Sequence, residues 1–458
     1  MKKIAILVFF TVGFFVHVWA CTGLIAGKQA TVDGSVLVTY SADSHTLYGA
    51  LTSSPAADWP KGSMRSIVEW DTNKPLGEIE QVEHTYAVIG NMNEHQLTVV
   101  ESTWGGRPEL VDTTGIIDYG SLMQLALERA KTAREAIKVM TGLVKKYGYY
   151  SSGESFTIAD PNEAWILDLI GKGPGRRGAV WVAVRIPDDC IAGHANYPRI
   201  HKIPMDDKEN CLYSPDVISF AREMGYFDGL NKDFSFARAY SPADFGALRA
   251  CDARVWSFFR KYDSSMDNYL PYVNGESAEP FPLYVKPSRK LSVQDMKEAM
   301  RDHFEDTPFD MTQDVGAGPF KVPYRFRPMS FEVDGKSYCM ERAIATQQTG
   351  FTLVGQMRNW LPDPVGGVLW FGVDDANTCV YIPMYCGITQ VPECFSPENG
   401  SMYDFSWTSA FWIHNWVANM AYARYEPMIG DIRKVQSAVE TSLNLRQPAV
   451  DKAAVESV

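Results

Sequence analysis

The start of the chain constrains this sequence most, because it separates a removable leader from the part that folds. Two early lysines precede an apolar run over residues 4–16, and Val-Trp-Ala follows shortly after. The run is too short to cross a bilayer comfortably, and basic residues before such a run are typical of a secretory signal. We therefore predict that residues 1–20 are a signal peptide and that the mature chain is periplasmic or secreted, with Cys21 as its first residue.

The composition is that of a globular chain with an acidic surface. The 458 residues are 46% hydrophobic and 21% charged, near the average for globular proteins. The formal net charge is −12, and loss of the two early lysines would make it −14. An acidic chain without a basic stripe does not fit a nucleic-acid partner, and no later apolar run predicts a membrane span. We see no clean domain boundary and predict one domain over residues 21–458, frayed or truncated after residue 446.

Cys21 allows three interpretations. It could be lipidated on its sulfur and its amine, although Trp19 is bulky for a lipidation signal, or it could be a structural cysteine. It could also be an N-terminal nucleophile. A free α-amine has a pKa of about 7.7–8.0 and accepts a proton near neutral pH, and cysteine attacks as the thiolate. Both groups on one residue would place a nucleophile and its base within hydrogen-bonding reach.

Patterns after Cys21 indicate a mixed fold. Apolar runs on both sides of Asp33-Gly34 predict a hairpin that begins at the cysteine. Further strands are predicted at residues 84–90, 97–103, 156–159, 165–170, 180–186, 368–373 and 379–385. Helices are predicted at residues 121–130, after Thr132, after Ser214-Pro215, after Ser241-Pro242, after Ser292, and at residues 410–425 and 431–443. This order of strands and helices favours an α+β fold over a doubly wound sheet.

Six segments, spread in order over nearly the whole mature chain, carry a family pattern. They are CTGLIAGKQATVDGS, YSADS, GNMNEHQLTVVESTWGGR, SSGESFTIADPNEAWILD, AGHANYPRI and, more loosely, AFWIHNWVANMAYARY. Together they resemble the secernin-related dipeptidase A family of N-terminal-nucleophile cysteine peptidases. The resemblance implies a four-layer αββα sandwich, here with a helix-rich insertion, and hydrolysis of the amide bond of dipeptides through an acyl-enzyme. It also implies small peptides as substrates, no metal and no cofactor.

Three residues match catalytic positions of that family. Cys21 matches the nucleophile, and Asp43 matches an acidic residue expected to hold the amine or the thiol of Cys21. Asn196 matches an amide that could stabilise the oxyanion together with a backbone N–H. Related amidases carry an oxyanion asparagine at the place of Glu101-Ser102-Thr103, and this chain has none there.

The chain departs from the family at Tyr40. Many relatives have an arginine at this place, three residues before the aspartate. An arginine would lower the pKa of the thiol, which a tyrosine cannot do through charge. We expect another arginine, Arg254, to reach the site instead.

Other polar residues are candidate substrate contacts. We predict that Glu94, Glu101 and Thr103 bind the substrate, although Glu94 lies in a turn between two strands and could fix that turn instead. Residues 265–290, rich in Pro, Ser and Asn, predict a loop that could form a rim of the site. The histidines show no metal-ligand spacing, and His194 is an alternative general base. Without Cys21, seven cysteines remain, an odd number that leaves at least one thiol free.

Other functions stay open beside an exported cysteine dipeptidase. An amidase of acyl-amino acids would use the same nucleophile on non-peptide amides. A lipid-anchored surface protein could bind glycans through its many Trp and Tyr residues. Asp374-Asp375 could suit a glycosidase, but adjacent residues point apart. The sequence also leaves a homo-oligomer open.

Overall fold

The computed structural model describes residues 21–325, 330–339 and 341–457. The predicted signal peptide lies outside these ranges, and its removal stays a prediction. Within them, two large antiparallel sheets form the centre of the fold, together with helices, which confirms the α+β prediction. None of the helices described is both long and apolar enough for a bilayer crossing.

The seven-stranded sheet contains the predicted N-terminal hairpin. Gly23–Ala26 pairs antiparallel with Val36–Asp43, and Ile25 lies opposite Val38. Thr349–Met357, from the far end of the sequence, pairs with the other edge of Val36–Asp43. In spatial order, the strands are Tyr284–Val285, Ile191–His194, Gly23–Ala26, Val36–Asp43, Thr349–Met357, Val368–Val373 and Ile382–Tyr385. The N-terminal hairpin therefore lies in the interior of this sheet.

The eight-stranded sheet is built around an antiparallel meander of four long strands. In spatial order, its strands are Cys211–Tyr213, Ala179–Ile186, Ala164–Gly171, Gly153–Ala159, Thr98–Trp104, Met92–Asn93, Val88–Ile89 and Ser53–Ser54. Smaller two-stranded pairs are Ala57–Asp58 with His84–Thr85, Met64–Val68 with Pro75–Glu80, and Ser330–Val333 with Lys336–Cys339.

Helices make up most of the remaining regular structure. The α-helices are Tyr119–Arg129, Ala133–Tyr147, Ser219–Glu223, Phe236–Tyr240, Ala253–Arg260, Leu270–Val273, Val293–Met300, Asp363–Gly366, Ala410–Ala423 and Tyr425–Val455. Shorter 3₁₀ segments are Pro108–Leu110, Asn231–Asp233, Ser264–Tyr269, Val315–Phe320 and Glu393–Phe395, and Ala247–Asp252 is a π-helix.

The sheets and helices pack against one another through three apolar cores. One core lies between the two sheets, and because side chains alternate along a strand, Val38 and Ile166 point into it. A second core joins the outer face of the seven-stranded sheet to two helices, with Trp370 and Phe259 as members. The third core joins the outer face of the eight-stranded sheet to Tyr119–Arg129 and Ala133–Tyr147. The order of layers is therefore helix, sheet, sheet and helix.

One predicted loop is corrected. Residues 265–290 do not form a continuous loop, because Ser264–Tyr269 and Leu270–Val273 are helical and Tyr284–Val285 is an edge strand. The apolar side chain of Phe281 is buried in the second core, which ties this segment to the sheet. The segment contributes no residue to the cavity that contains Cys21.

The N-cap residue of helix Ala133–Tyr147, Thr132, provides a test of how the sequence stabilises local structure. The Thr132 hydroxyl accepts a hydrogen bond from the N–H of Glu135 at 3.3 Å. Thr132→Ala removes this acceptor, and we expect it to lower the free energy of unfolding by about 1 kcal/mol in urea titrations. Thr132→Ser retains the hydroxyl and should stay within about 0.5 kcal/mol of the parent. Equal losses in both variants would contradict a capping role.

Candidate active site

Cys21 lies in a cavity of about 310 Å³ at one end of the space between the sheets. The cavity receives Asp43 from the end of Val36–Asp43 and Glu101 from Thr98–Trp104, so each sheet contributes a carboxylate. The other lining residues include Ser44, Thr46, Leu47, Tyr48, Trp70, Asp71, Asn91, Tyr119, Gln124 and Phe351. The structure thus brings three of the predicted site residues together.

The thiol of Cys21 is buried beside Tyr40. Only 3% of Cys21 is exposed, and its Sγ lies 3.7 Å from the Tyr40 hydroxyl. Burial raises the pKa of this thiol well above its usual value, and the nearby Glu101 and Asp43 carboxylates raise it further. The Tyr40 hydroxyl and the backbone N–H of Asp43 act in the opposite direction. At neutral pH the sulfur therefore carries its proton until a base removes it.

Arg254 holds the backbone of Cys21 in place. Its Nη1 donates to the Cys21 carbonyl at 2.8 Å and to the Thr22 hydroxyl at 2.7 Å. Its Nη2 donates to the carbonyl of Ala195 at 3.1 Å and to the Asn196 side-chain oxygen at 2.8 Å. Burial lowers the pKa of Arg254 to about 10, so the guanidinium stays charged at neutral pH. Arg254 reaches the site as expected, but it contacts the backbone of the cysteine rather than its sulfur.

Asp43 is fixed by a buried ion pair that the sequence did not indicate. Its carboxylate accepts from Arg342 Nη2 at 2.5 Å, from the Thr349 hydroxyl at 2.7 Å and from the Ser41 hydroxyl at 3.1 Å. Arg342 is 299 residues away along the chain, so no local pattern could pair the two. The ion pair neutralises the charge of Asp43 and fixes its orientation in the cavity wall.

Glu101 is connected to the thiol through Tyr40. The Tyr40 hydroxyl donates to Glu101 Oε1 at 2.5 Å and also lies 3.7 Å from the Cys21 sulfur, so Tyr40 links the carboxylate to the thiol. Thr103 does not line the cavity, and its hydroxyl donates to Glu154 at 2.7 Å. Burial raises the pKa of both glutamates, and the charge of Glu101 also raises that of Glu154.

Two predicted residues lie outside the cavity lining. Glu94 accepts from the N–H of Ala87 at 2.8 Å, which fixes the turn that contains it. Asn196 has a left-handed backbone with φ of 61°, and its amide nitrogen donates to the carbonyl of Thr103 at 2.5 Å. The structure therefore connects Asn196 to Cys21 through Arg254, and it does not place Glu94 at the site.

His194 is fully buried and lies outside the cavity lining. Its ring nitrogens lie 2.6 Å from the Ser102 hydroxyl and 2.9 Å from the Thr157 hydroxyl. Burial, followed by the charges of Arg254 and Arg199, lowers the pKa of His194 to about 3. An imidazole that stays neutral and sits between two hydroxyls on neighbouring strands fits a structural role.

Known proteins match this chain over most of its length. The sequence model described as peptidase family C69 matches residues 20–438. A probable dipeptidase of Latilactobacillus sakei is 24% identical over 95% of this chain and 88% of its own. A probable dipeptidase of Salmonella dublin is 27% identical over 81% of both chains, and dipeptidase A of Lactobacillus helveticus is 24% identical over 88% of this chain and 82% of its own. These matches confirm the resemblance carried by the six segments.

The contact between Tyr40 and the sulfur generates one prediction. Tyr40→Phe removes the hydroxyl that lies beside the sulfur and lowers the pKa of the thiol, so that pKa should rise further and alkylation of Cys21 by iodoacetamide should slow about two- to tenfold at pH 8. Mass spectrometry of the Cys21 peptide measures this rate without interference from other thiols. Tyr48→Phe is the matched control, because Tyr48 lines the same cavity but donates to the Asn399 carbonyl. Equal rates in the two variants would contradict the role of Tyr40.

Arg254 generates a second prediction. Arg254→Lys keeps the charge but cannot reach all the oxygens that the guanidinium contacts, so we expect the free energy of unfolding to fall by at least about 2 kcal/mol. Arg260→Lys, on the same helix but paired with the exposed Asp267, serves as control and should cost less than about 1 kcal/mol. Denaturant titrations that show no difference between the two variants would refute the anchoring role.

Proposed function

The chain belongs to peptidase family C69, and we propose that it is a cysteine dipeptidase whose nucleophile is Cys21. The observation that carries the proposal is the position of the Cys21 thiol, which opens into a cavity at the end of the strand layer while Arg254 fixes its backbone. Relatives named as dipeptidases support peptides of two residues as substrates. The cavity of about 310 Å³ is at the lower limit for small-molecule sites, which suits a short substrate.

In the proposed reaction the sulfur and the α-amine of Cys21 act together. The amine takes the thiol proton as Sγ forms a bond with the carbonyl carbon of the substrate. When the tetrahedral intermediate collapses, the C–N bond breaks, and the amine returns the proton to the leaving nitrogen. The same amine then deprotonates a water, which attacks the thioester. The C–S bond breaks, the N-terminal amino acid leaves with its new carboxyl group, and the amine returns the proton to the sulfur. A base is needed because burial keeps the thiol protonated at neutral pH.

Supporting roles follow from the contacts around Cys21. We assign Asp43, held by Arg342, to orient the α-amine. We assign Asn196, together with a backbone N–H, to the oxyanion. Its amide nitrogen has two N–H groups, of which the Thr103 carbonyl takes one. Because Arg254 donates to both Asn196 and the Cys21 carbonyl, it would hold this amide at a fixed position relative to the nucleophile.

The proposed mechanism requires that residues 1–20 be removed. Before removal, the nitrogen of Cys21 is an amide and cannot act as a base. We therefore propose that export, with cleavage after residue 20, both delivers and activates the enzyme. The helix–sheet–sheet–helix order supports classification of the fold among N-terminal-nucleophile hydrolases.

A lipid-anchored binding protein is a weaker proposal. Lipidation would place acyl chains on the sulfur and the nitrogen of Cys21. Cys21 is 3% exposed, and its sulfur lies beside Tyr40, so a diacylglyceryl group could not reach a membrane without opening the cavity. The intact mass of the exported protein separates the two proposals, because an unmodified Cys21 at the N-terminus is expected only for the hydrolase.

Substitution of the nucleophile tests the proposal. Cys21→Ala should abolish hydrolysis of alanyl-alanine, by at least about 1,000-fold, while circular dichroism stays unchanged. Cys21→Ser should leave slow hydrolysis at most, since a hydroxyl is a weaker nucleophile at the same position. Cys394→Ala is the matched control, because Cys394 is an exposed thiol outside the cavity, and this variant should keep full activity. Substantial turnover in folded Cys21→Ala would refute Cys21 as the nucleophile.

A further inference from the structure

The charges that line the Cys21 cavity all have one sign. Asp43, Asp71 and Glu101 contribute carboxylates, and no lysine, arginine or histidine is among the lining residues. Asp43 is already paired with Arg342. Neither Asp71 nor Glu101 forms an ion pair within the described part of the chain. Two carboxylates without a cationic partner therefore line the cavity, which favours a positively charged ligand.

Glu101 is at the inner end of this cavity. It is 2% exposed, and its Oε1 accepts from Tyr40, whose hydroxyl contacts the sulfur of Cys21. Burial and then the charge of Glu101 raise the pKa of the neighbouring Glu154. A buried carboxylate without a cationic partner is costly, and a cation from the substrate would reduce that cost.

Asp71 lines the same cavity as Glu101 and is the more exposed of the two carboxylates. It lies in the exposed turn between Met64–Val68 and Pro75–Glu80, and the Tyr119 hydroxyl donates to its Oδ1 at 2.8 Å. Tyr119 thereby fixes one oxygen of the carboxylate, while Oδ2 has no described partner in the cavity wall. Asp71, Tyr119 and Glu101 all line this cavity, and after burial the charge of Asp71 contributes to the raised pKa of both Tyr119 and Glu101.

We propose that Asp71 and Glu101 together bind the free α-ammonium of the substrate, so that the enzyme acts on unblocked peptide N-termini. This inference rests on the proposed function only in taking the Cys21 cavity as the substrate site. In a dipeptide, the ammonium is on the carbon next to the attacked carbonyl. When that carbonyl reaches Sγ, the ammonium lies beside it, inside the cavity that Asp71 and Glu101 line. Asp71 is then a specificity residue, since an N-acylated substrate offers neither the charge nor the small size that this space requires.

The kinetic test is Asp71→Asn, which keeps the shape of the side chain and the Tyr119 hydrogen bond but removes the charge. With alanyl-alanine as substrate, KM should rise about tenfold or more while kcat changes less than threefold. Glu69→Gln is the matched control, because Glu69 precedes the same turn but does not line the cavity, and its KM should change less than twofold. Asp71→Glu restores the charge and should recover most of the lost affinity, which excludes a folding defect as the cause. An unchanged KM in Asp71→Asn would overturn the proposal.

A binding test separates this inference from the identity of the nucleophile. In Cys21→Ala, calorimetry should detect alanyl-alanine and should show binding of N-acetyl-alanyl-alanine at least about tenfold weaker. Adding Asp71→Asn to this variant should weaken only the unblocked dipeptide. Equal affinity for the two ligands would refute ammonium recognition even if Cys21 proves to be the nucleophile. If Cys21→Ala retains turnover, the nucleophile assignment fails, while kinetics on the two substrates still tests Asp71.

Discussion

A single buried guanidinium fixes the geometry on which the rest of the site depends. Arg254 has five N–H donors, and its five described acceptors are the oxygens of Ala250, Cys21, Thr22, Ala195 and Asn196. A buried charge is tolerated only when its hydrogen bonds are satisfied. Because these oxygens belong to three separate segments, the first strand, the turn after Ile191–His194 and the helix of Arg254 can move only together. The thiol of Cys21 therefore has a defined position even though it starts the described chain.

Local patterns predicted much of this architecture. The hairpin around Asp33-Gly34, the capped helix after Thr132 and the long meander strands all follow from alternation, turn residues and caps. Thr349–Met357 was not predicted, although it is central, because Thr352 and Gln356 interrupt its apolar pattern and its glycines favour a turn. The structure explains Gly355, since a Cβ there would lie 3.1 Å from Val38 of the paired strand. That reason exists only once the sheet has formed.

The candidate site likewise contains some residues that the sequence identified and others that only the structure revealed. Cys21 could be chosen from the predicted cleavage site and the family resemblance, and Asp43 and Glu101 from that resemblance, and all three line one cavity. Arg342 and Asp71 could not be chosen. Arg342 is paired with Asp43 across 299 residues, and Asp71 lies in an ordinary polar turn that only the folded chain brings into the same cavity as Glu101. Sequence patterns identify residues within elements, whereas charge balance in a cavity depends on contacts between distant elements.

The position of Thr349–Met357 also has a consequence for the timing of synthesis. The strand that ends at Asp43 obtains its second neighbour from residues 349–357, and Asp43 obtains both Arg342 and Thr349 from the same late region. A nascent polypeptide that has emerged only as far as residue 340 already contains the cysteine but lacks one wall of its cavity. Pairing across such sequence distances is slow. The wall of the cavity beside Asp43 is thus completed only after residues 342–357 have been made.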